Sequence, residues 1–228
     1  MAILLRQQLQ MKNSLIILLL TLLGINKVIA QDIPCDDFNK ITTKLESIRE
    51  VDQSSRAFFI KQAAENDPLK TKELALKMKA TDKENQHYVS GLLDNCGWPK
   101  GLSEDNNHTI FLVIDHADAA YMTKYFPLLK QQADLGIVAK SNLATLQDRM
   151  LLRSGFMQVY GTQTFKIGNV MYIWPIENVG TIEERRKAMG LNSMNEYIEE
   201  VKKRYSAEVS WDRTLTVAEA QQKMQRKS

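Results

Sequence analysis

Glycine and proline interruptions divide the chain between residues 36 and 155 into a series of segments. The interruptions are Asp67-Pro68, Gly97-Trp98-Pro99, Gly136 and Gly155. Proline cannot continue a helix, and glycine is the usual residue just after a helix ends. The segments between the interruptions carry apolar residues at helical spacing, so the sequence predicts a mainly α-helical fold.

Apolar residues three or four positions apart indicate helices that pack on one core. The run from Ile110 to Ile114 is apolar throughout and would also fit a buried strand, but the capping residues before it favour a helix. The predicted helices cover residues 36–66, 70–95, 103–119, 121–135, 139–153, 182–189 and 194–205.

One β-hairpin is predicted within this helical chain, near residues 156–175. The segments FMQVYGTQTF and VMYIWPI flank Lys166-Ile167-Gly168-Asn169, a turn-like stretch that contains glycine. We therefore expect a single bundle-like helical domain with a hairpin at residues 31–205, followed by a polar C-terminal tail at 206–228. A frayed helix from Val217 to Lys227 has too few apolar residues to dock strongly.

Residues 1–30 are predicted to be a signal peptide. Lys12 precedes the apolar run from Ser14 to Ile25, and about a dozen residues suit a signal peptide but are too short for a membrane span. Cleavage after Ala30 would leave the mature protein in the periplasm or secreted, without a stable membrane span. A lipoprotein anchored on Cys35 is disfavoured because Asp-Ile-Pro before it lacks the small residues of such processing sites.

The charge of the chain does not indicate a nucleic-acid partner. The sequence has 30 basic and 27 acidic residues. Removal of residues 1–30 takes away Arg6, Lys12 and Lys27 and no acid, which leaves the mature chain with equal numbers of both. No block of lysine and arginine with interleaved aromatics occurs, so neither nucleic acid nor anionic lipid is implied as a partner.

Cys35 and Cys96 are the only cysteines of the sequence. An oxidising compartment would allow them to form one disulfide between the mature N-terminus and the end of the second helix. Two free thiols are the alternative. A metal site is less favoured, because the neighbouring positions supply neither a CxxC motif nor a close histidine.

Several polar side chains lie at positions that the apolar pattern predicts to be buried. In VDQSSR, Asp52 and Arg56 are four residues apart and can pair, and Gln53 lies beside them. His116 of DHAD follows an apolar helical turn, so burial would favour a neutral ring that accepts a proton. Taken singly, these residues are more typical of a surface ion pair and a satisfied core histidine.

A second polar group lies further along the chain. Asp148 and Arg149 in LQDRMLL point about 100° apart on a helix, so each needs a partner on another element. In QVYGTQ, Gln158, Tyr160 and Gln163 can donate and accept hydrogen bonds without changing charge. The segment is therefore predicted to be a neutral, hydrogen-bonding wall of a pocket.

Familiar catalytic and metal motifs are absent. The sequence has no GxSxG, Walker loop, GxGxxG or HExxH, and it has three histidines. Asp52, Asp118 and Asp148 would supply oxygen ligands to a divalent metal, but their spacing does not support a site, and none is predicted. Asp82 and Asn85 on the second helix are more typical of a solvated surface. The sequence identifies no cofactor.

The motifs VDQSSR, GWP, DHAD, LQDRMLLRSGFMQVYGTQ and PIENV with ERRKAMGL occur in this order. They resemble a widespread bacterial family of unknown function whose members carry DQxxR, GWP, QHAD, DR and QxYGTQ. The resemblance covers most of the mature chain and implies a common site. Asp115 stands where the family has glutamine, which places a further carboxylate beside His116. The matching positions are Asp52, Gln53, Arg56, His116, Asp118, Asp148, Arg149, Gln158, Tyr160 and Gln163.

These residues support three hypotheses. The first is a hydrolase acting on a small polar molecule, with His116 as base and Asp118 or Asp148 orienting it. The second is a ligand-binding module that uses the same pocket without chemistry. The third is a structural envelope protein with a buried polar network. In the first, the catalytic residues are His116, Asp118 and Asp148, and the ligand-binding residues are Asp52, Gln53, Arg56, Arg149, Gln158, Tyr160 and Gln163.

Overall fold

The computed structural model of the protein describes residues 35–64 and 67–225. The predicted signal peptide and its cleavage point lie outside these residues. Within them, no helix is both long and apolar enough to cross a membrane. The helices are α1 (Phe38–Ala64), α2 (Pro68–Cys96), α3 (Glu104–Asp115), α4 (Ala119–Asp134), α5 (Lys140–Arg153), α6 (Ile182–Ala188), α7 (Met194–Tyr205) and α8 (Val217–Gln225), with a 3-10 turn at Val179–Thr181 before α6.

The prediction of a mainly α-helical fold with a small β element is confirmed. Local capping explains where several helices begin. The side chain of Asp67 accepts a hydrogen bond from Lys70 N at the start of α2, and Ser103 and Asp118 cap α3 and α4 in the same way. Each cap satisfies a backbone amide that has no partner within its helix.

The predicted hairpin is present but shorter than expected. Strands β1 (Thr164–Ile167) and β2 (Val170–Ile173) pair antiparallel, and Gly168 has the positive φ of 59° that such a tight turn requires. A third strand, β3 (Glu208–Ser210), pairs parallel with β2. Residues 158–163 are not in a strand, and Gln158 makes a single isolated bridge with Ile176.

The segment that begins at Ser206, expected to be a polar tail, contributes β3 and α8. Leu215 and Ala220 are buried in one cluster with Phe165 and Ile167 of β1. The small sheet therefore has its own apolar layer, which the C-terminal segment completes. This layer compensates for the low apolar content of α8.

The main core is formed by the helices from α1 to α5. It includes Ile41, Leu45 and Ile48 of α1, Val89 and Leu92 of α2, Ile110 and Ile114 of α3, Met122 and Leu129 of α4, and Leu143 and Leu146 of α5.

The outer halves of α1 and α2 extend beyond this core. Among the described residues, no apolar side chain between Ile48 and Val89 is fully buried. At 1.5 Å per residue, α1 continues for about 24 Å beyond Ile48, and α2 extends for about 32 Å before Val89. We call residues 53–62 and 67–84 the helical arm.

The predicted disulfide between Cys35 and Cys96 is confirmed. The two Cα atoms lie 5.5 Å apart, within the range of an unstrained bridge. The bridge ties the residues before α1 to the end of α2, at the opposite end of these helices from the tip of the helical arm.

Candidate functional site

Four ionisable side chains meet where the helical arm leaves the core. Asp52 of α1 lies one turn beyond Ile48 and points the same way, into the protein. His116 follows α3, and its Nδ1 lies 3.1 Å from Asp52 Oδ1. Arg56 donates from Nε to Asp52 Oδ1 over 3.0 Å and from Nη2 to Asp82 Oδ1 of α2 over 2.6 Å. We call Asp52, Arg56, Asp82 and His116 the charged cluster.

Asp52 is the buried centre of the charged cluster. It is 4% exposed, and its second oxygen accepts a hydrogen bond of 2.7 Å from Gln53 Nε2. Burial alone would raise the pKa of Asp52, but the hydrogen bonds of His116 and Arg56, with the charges of Arg56 and of His116 when it is protonated, outweigh it and lower the pKa to about 2. Asp52 is therefore a permanent carboxylate at neutral pH.

An ionised carboxylate can only accept, so Asp52 selects the tautomer of His116 that carries its proton on Nδ1. The lone pair of the neutral ring is then on Nε2. In the described part of the chain this atom has no hydrogen-bond partner. It is also not fully buried. With 15% of the side chain exposed, Nε2 faces solvent and can take a proton.

The charged cluster has some features of a metal site. Ligand atoms of Asp52, Asp82 and His116 all lie within 4.8 Å of one another. However, the guanidinium of Arg56 already bridges the two carboxylates and supplies the positive charge that a metal would bring. A metal that used the same Oδ1 atoms would have to displace Arg56, so these atoms fit an arginine better than an ion.

The DHAD segment holds His116 in place through contacts with several helices. Asp115 pairs with Arg149 Nε of α5 over 2.9 Å, although the N–H is not aligned as a hydrogen bond. The carbonyl of Ala117 accepts from Arg153 Nη1 over 2.6 Å, and Asp118 caps α4. Asp52, and neither Asp118 nor Asp148, is thus the carboxylate next to the His116 ring.

Asp148 lies in a separate, fully buried site. It accepts hydrogen bonds from the backbone amides of Val159, Tyr160 and Thr162 over 2.7, 3.0 and 3.0 Å, and from the Thr162 hydroxyl over 2.9 Å. Burial raises the pKa of Asp148, although these hydrogen bonds act in the opposite direction. We call residues 158–163, which this carboxylate holds, the QVYGTQ loop.

The two glutamines of the QVYGTQ loop also bond within the protein. Gln158 is fully buried, accepts from Gln163 N over 2.9 Å and donates to Trp174 O over 2.8 Å. Gln163 Nε2 donates to the Thr162 hydroxyl over 3.1 Å. Tyr160 is half-buried, and burial raises the pKa of its phenol. The two glutamines therefore bond to other groups of the protein and help to fix the main chain of the QVYGTQ loop.

The structure thus divides the predicted site residues into groups. Asp52, Gln53, Arg56 and His116 come together, whereas Asp148, Gln158, Tyr160 and Gln163 belong to the QVYGTQ loop. Arg149 and Asp118 hold the DHAD segment. Clefts of about 740, 510 and 330 Å³ occur among the described residues, and none of these three is lined by a predicted site residue.

The sequence pattern favoured a solvated surface for Asp82 and gave no role to Arg186, but the structure makes both residues central. Asp82 lies seven residues before the buried Val89, so helical register already placed it on the inward side of α2. Arg186 is 1% exposed and donates to Tyr160 O over 2.7 Å. It follows the buried Ile182 by four residues, and this helical spacing is the sequence feature that indicates its burial.

The protein is of the mainly α-helical class with a small mixed sheet. Its charged cluster lies at the base of the helical arm. Residues 39–210 match DUF6624, a family of unknown function, and the chain belongs to that family. The matched range includes both the charged cluster and the QVYGTQ loop. No curated protein and no solved structure matches the chain. The resemblance is thus confirmed at the level of a family of unknown function.

Proposed function

We propose that the protein is a hydrolase that acts on a small polar molecule and uses His116 as its proton acceptor. The observation that carries this proposal is the contact of His116 Nδ1 with the buried carboxylate of Asp52, which leaves Nε2 facing solvent. A ring held in one tautomer by a carboxylate is the usual arrangement of a general base.

The proposed reaction uses water as the nucleophile, because the charged cluster contains no hydroxyl or thiol. His116 Nε2 takes a proton from water while the water oxygen bonds to an electrophilic centre of the substrate. The leaving group then departs with the proton that His116 returns. Asp52, ionised at neutral pH, stabilises the imidazolium that exists between these two transfers.

The charges of the cluster favour neutral polar or cationic substrates. With a neutral His116, two carboxylates and one guanidinium leave a net charge of minus one. Arg56 is engaged by both carboxylates, so it positions Asp52 and is not free to bind an anion. The exposed Gln53 beside it adds a neutral hydrogen-bonding group at the surface.

A structural role is the second candidate, and the contacts of Asp148 favour it for that part of the molecule. All of its hydrogen bonds go to the QVYGTQ loop, which in turn is bonded to α6 through Arg186. We assign a structural role to Asp148 and the QVYGTQ loop, and a catalytic role to the charged cluster. A binding module without turnover would use the charged cluster in the same position.

The proposal is tested by incubating the protein with an extract of low-molecular-weight polar metabolites and following every compound by mass spectrometry. We expect compounds that wild type converts into products whose combined mass is higher by one water. His116→Asn should abolish the conversion, because its amide replaces Nδ1 but provides nothing at Nε2. The matched control is His87→Asn, an exposed histidine on α2. Equal conversion by His116→Asn, or none by wild type, would contradict the proposal.

We also propose that the protein is exported. The Cys35–Cys96 disulfide supports this, because disulfides persist in oxidising compartments. Intact-mass measurement on exported protein should give a chain that begins at Gln31. Retention of residues 1–30 would show that the predicted signal peptide is not removed.

A further inference from the structure

The helical arm is bridged by ion pairs at its base and carries exposed leucines and lysines beyond it. The bridge from Asp52 through Arg56 to Asp82 joins α1 to α2 where they leave the core. Arg56 Nη1 also approaches Met78 Sδ at 3.5 Å, one turn further out. The base is therefore fixed, and the surface of α2 beyond it has a defined orientation relative to the body.

One face of α2 in the helical arm combines exposed leucines with lysines. Leu69 and Leu76 are 83% and 61% exposed, and seven residues bring them to the same side of the helix. Lys72 lies three residues after the first leucine and four before the second, so it is a neighbour of both. Lys79 and Lys83 continue the row toward the base. We call these five residues the leucine–lysine stripe.

The lysines of the stripe are available to an external partner. Lys72, Lys79 and Lys83 are exposed, and none has an ion-pair partner in the described part of the chain. On the other side of the leucines, Glu73 and Lys77 pair with each other over 2.7 Å. Positive charge is therefore concentrated along one edge of the two leucines.

We propose that the leucine–lysine stripe docks on a membrane surface rich in anionic phospholipids. Leucines that enter the boundary between headgroups and acyl chains, flanked by lysines that reach lipid phosphates, are the usual elements of an interfacial helix. Residues 67–84 of the arm carry five lysines and four acids. Glu73 and Asp82 are paired within the protein, so the three lysines of the stripe form a local basic edge that the balanced charge of the mature chain conceals. The membrane would thus cover the two exposed leucines with acyl chains.

Other occupants fit the stripe less well. A second copy of the chain would bring the same three lysines together, which is unfavourable. Nucleic acid would be matched by charge, but it offers no apolar surface for Leu69 and Leu76. The proposal shares no residue with the charged cluster, so its failure would leave the proposed hydrolase unaffected.

Vesicle flotation with the full chain tests the proposal, using phosphatidylcholine vesicles with and without about one third phosphatidylglycerol at low salt. We expect wild type to float mainly with the anionic vesicles and to lose this preference as salt is raised. The triple variant K72Q/K79Q/K83Q should lower the floated fraction about tenfold, and L69S/L76S should lower it as well. The matched control is K77Q, which removes a lysine that is already paired with Glu73.

Three outcomes would overturn the proposal. The first is equal flotation of wild type with neutral and anionic vesicles, and the second is unchanged flotation of the triple variant. The apolar run from Ser14 to Ile25 is common to all variants, so it cannot produce a difference between them, and the first outcome is measured on protein from which residues 1–30 have been removed. The third is a wild-type dimer in sedimentation that L69S/L76S converts to monomer, which would make a second copy the occupant. The substituted side chains are exposed, and circular dichroism verifies that each variant is folded.

Discussion

Both carboxylate oxygens of Asp148 accept hydrogen bonds from the QVYGTQ loop, so an amide cannot replace them. An asparagine would turn one acceptor into a donor that faces the amide and hydroxyl of Thr162 or the amide of Val159. We expect D148N to lower the free energy of unfolding by about 1–3 kcal/mol at neutral pH, measured by urea denaturation.

The matched control for this prediction is D118N. Asp118 is exposed and caps α4, and asparagine is as good a capping residue as aspartate. The same chemical change should therefore have little effect there. If D148N were no more destabilising than D118N, the carboxylate would not be holding the QVYGTQ loop.

Both the backbone conformation at position 161 and the neighbouring side chains require a glycine there. Its φ is +69°, and a Cβ there would lie 2.7 Å from Ile176 Cδ1 and 2.9 Å from Met194 Sδ. Gly161→Ala should cost about 2–3 kcal/mol, because a left-handed conformation and a clash in a buried cluster act together. Gly168→Ala separates the two causes, because Gly168 has a φ of +59° with nothing within 4 Å of the added methyl.

Thermal or urea unfolding of both glycine variants measures these costs. Gly168→Ala should lose about 1 kcal/mol from conformation alone. Equal losses in the two variants would mean that Ile176 and Met194 rearrange without cost.

Asp52 should contribute to the acid sensitivity of the fold. Its pKa is lowered to about 2 in the folded protein from 3.8 in the unfolded chain, so its contribution is complete above about pH 4 and disappears as the pH falls toward 2. The shift corresponds to about 2 kcal/mol. Urea denaturation across this range should show that D52N lacks this part of the wild-type decline. Parallel pH profiles of wild type and D52N would contradict the assignment.

At the residue scale, the sequence identified polar groups in apolar surroundings but not their partners. Asp52 and Arg56 could be linked because four residues on one helix guarantee proximity. Their contacts with Asp82 and His116 depend on which faces of three helices meet, which spacing within one helix cannot give. The same limit applies to Asp148, whose partners are backbone amides that have no signature in the sequence.

At the scale of elements, the disulfide should be a large single contribution to stability. Cys35 and Cys96 are 61 residues apart, and closing a loop of this size restricts the unfolded chain by about 4 kcal/mol in the chain-entropy model. We expect C35S/C96S to lose a comparable free energy of unfolding in urea. Wild type measured after reduction is the control and should behave like the variant. Free thiols in the unreduced, denatured wild type would show that the bridge does not form.

Helices were predictable as elements because their determinants are local. Asp67-Pro68 begins α2 and Gly97 follows its end, and both signals lie within a few residues of the boundaries. The sheet was only partly predictable. Strand β3 is three residues long, which is too short to show alternation, and α8 is held by burial of Ala220 against the sheet, which its own composition does not reveal.

At the scale of the whole molecule, several of the ordered motifs are distant in sequence but bonded to one another. The DQxxR and DHAD motifs meet through Asp52 and His116, and the LQDR motif reaches the DHAD segment through Arg149 and the QVYGTQ loop through Asp148. The sequence predicted that these motifs belong together. It could not separate a scaffold from a reactive group, because that depends on the burial of each group in the assembled fold.

The unfolding free energy of His116→Asn tests most directly whether the charged cluster is a site and not scaffold. The asparagine amide retains a donor to Asp52 and loses only the solvent-facing Nε2, so we predict a stability within about 1 kcal/mol of wild type in urea, together with loss of turnover. A loss of more than about 2 kcal/mol at an unchanged m-value would show that His116 serves the fold.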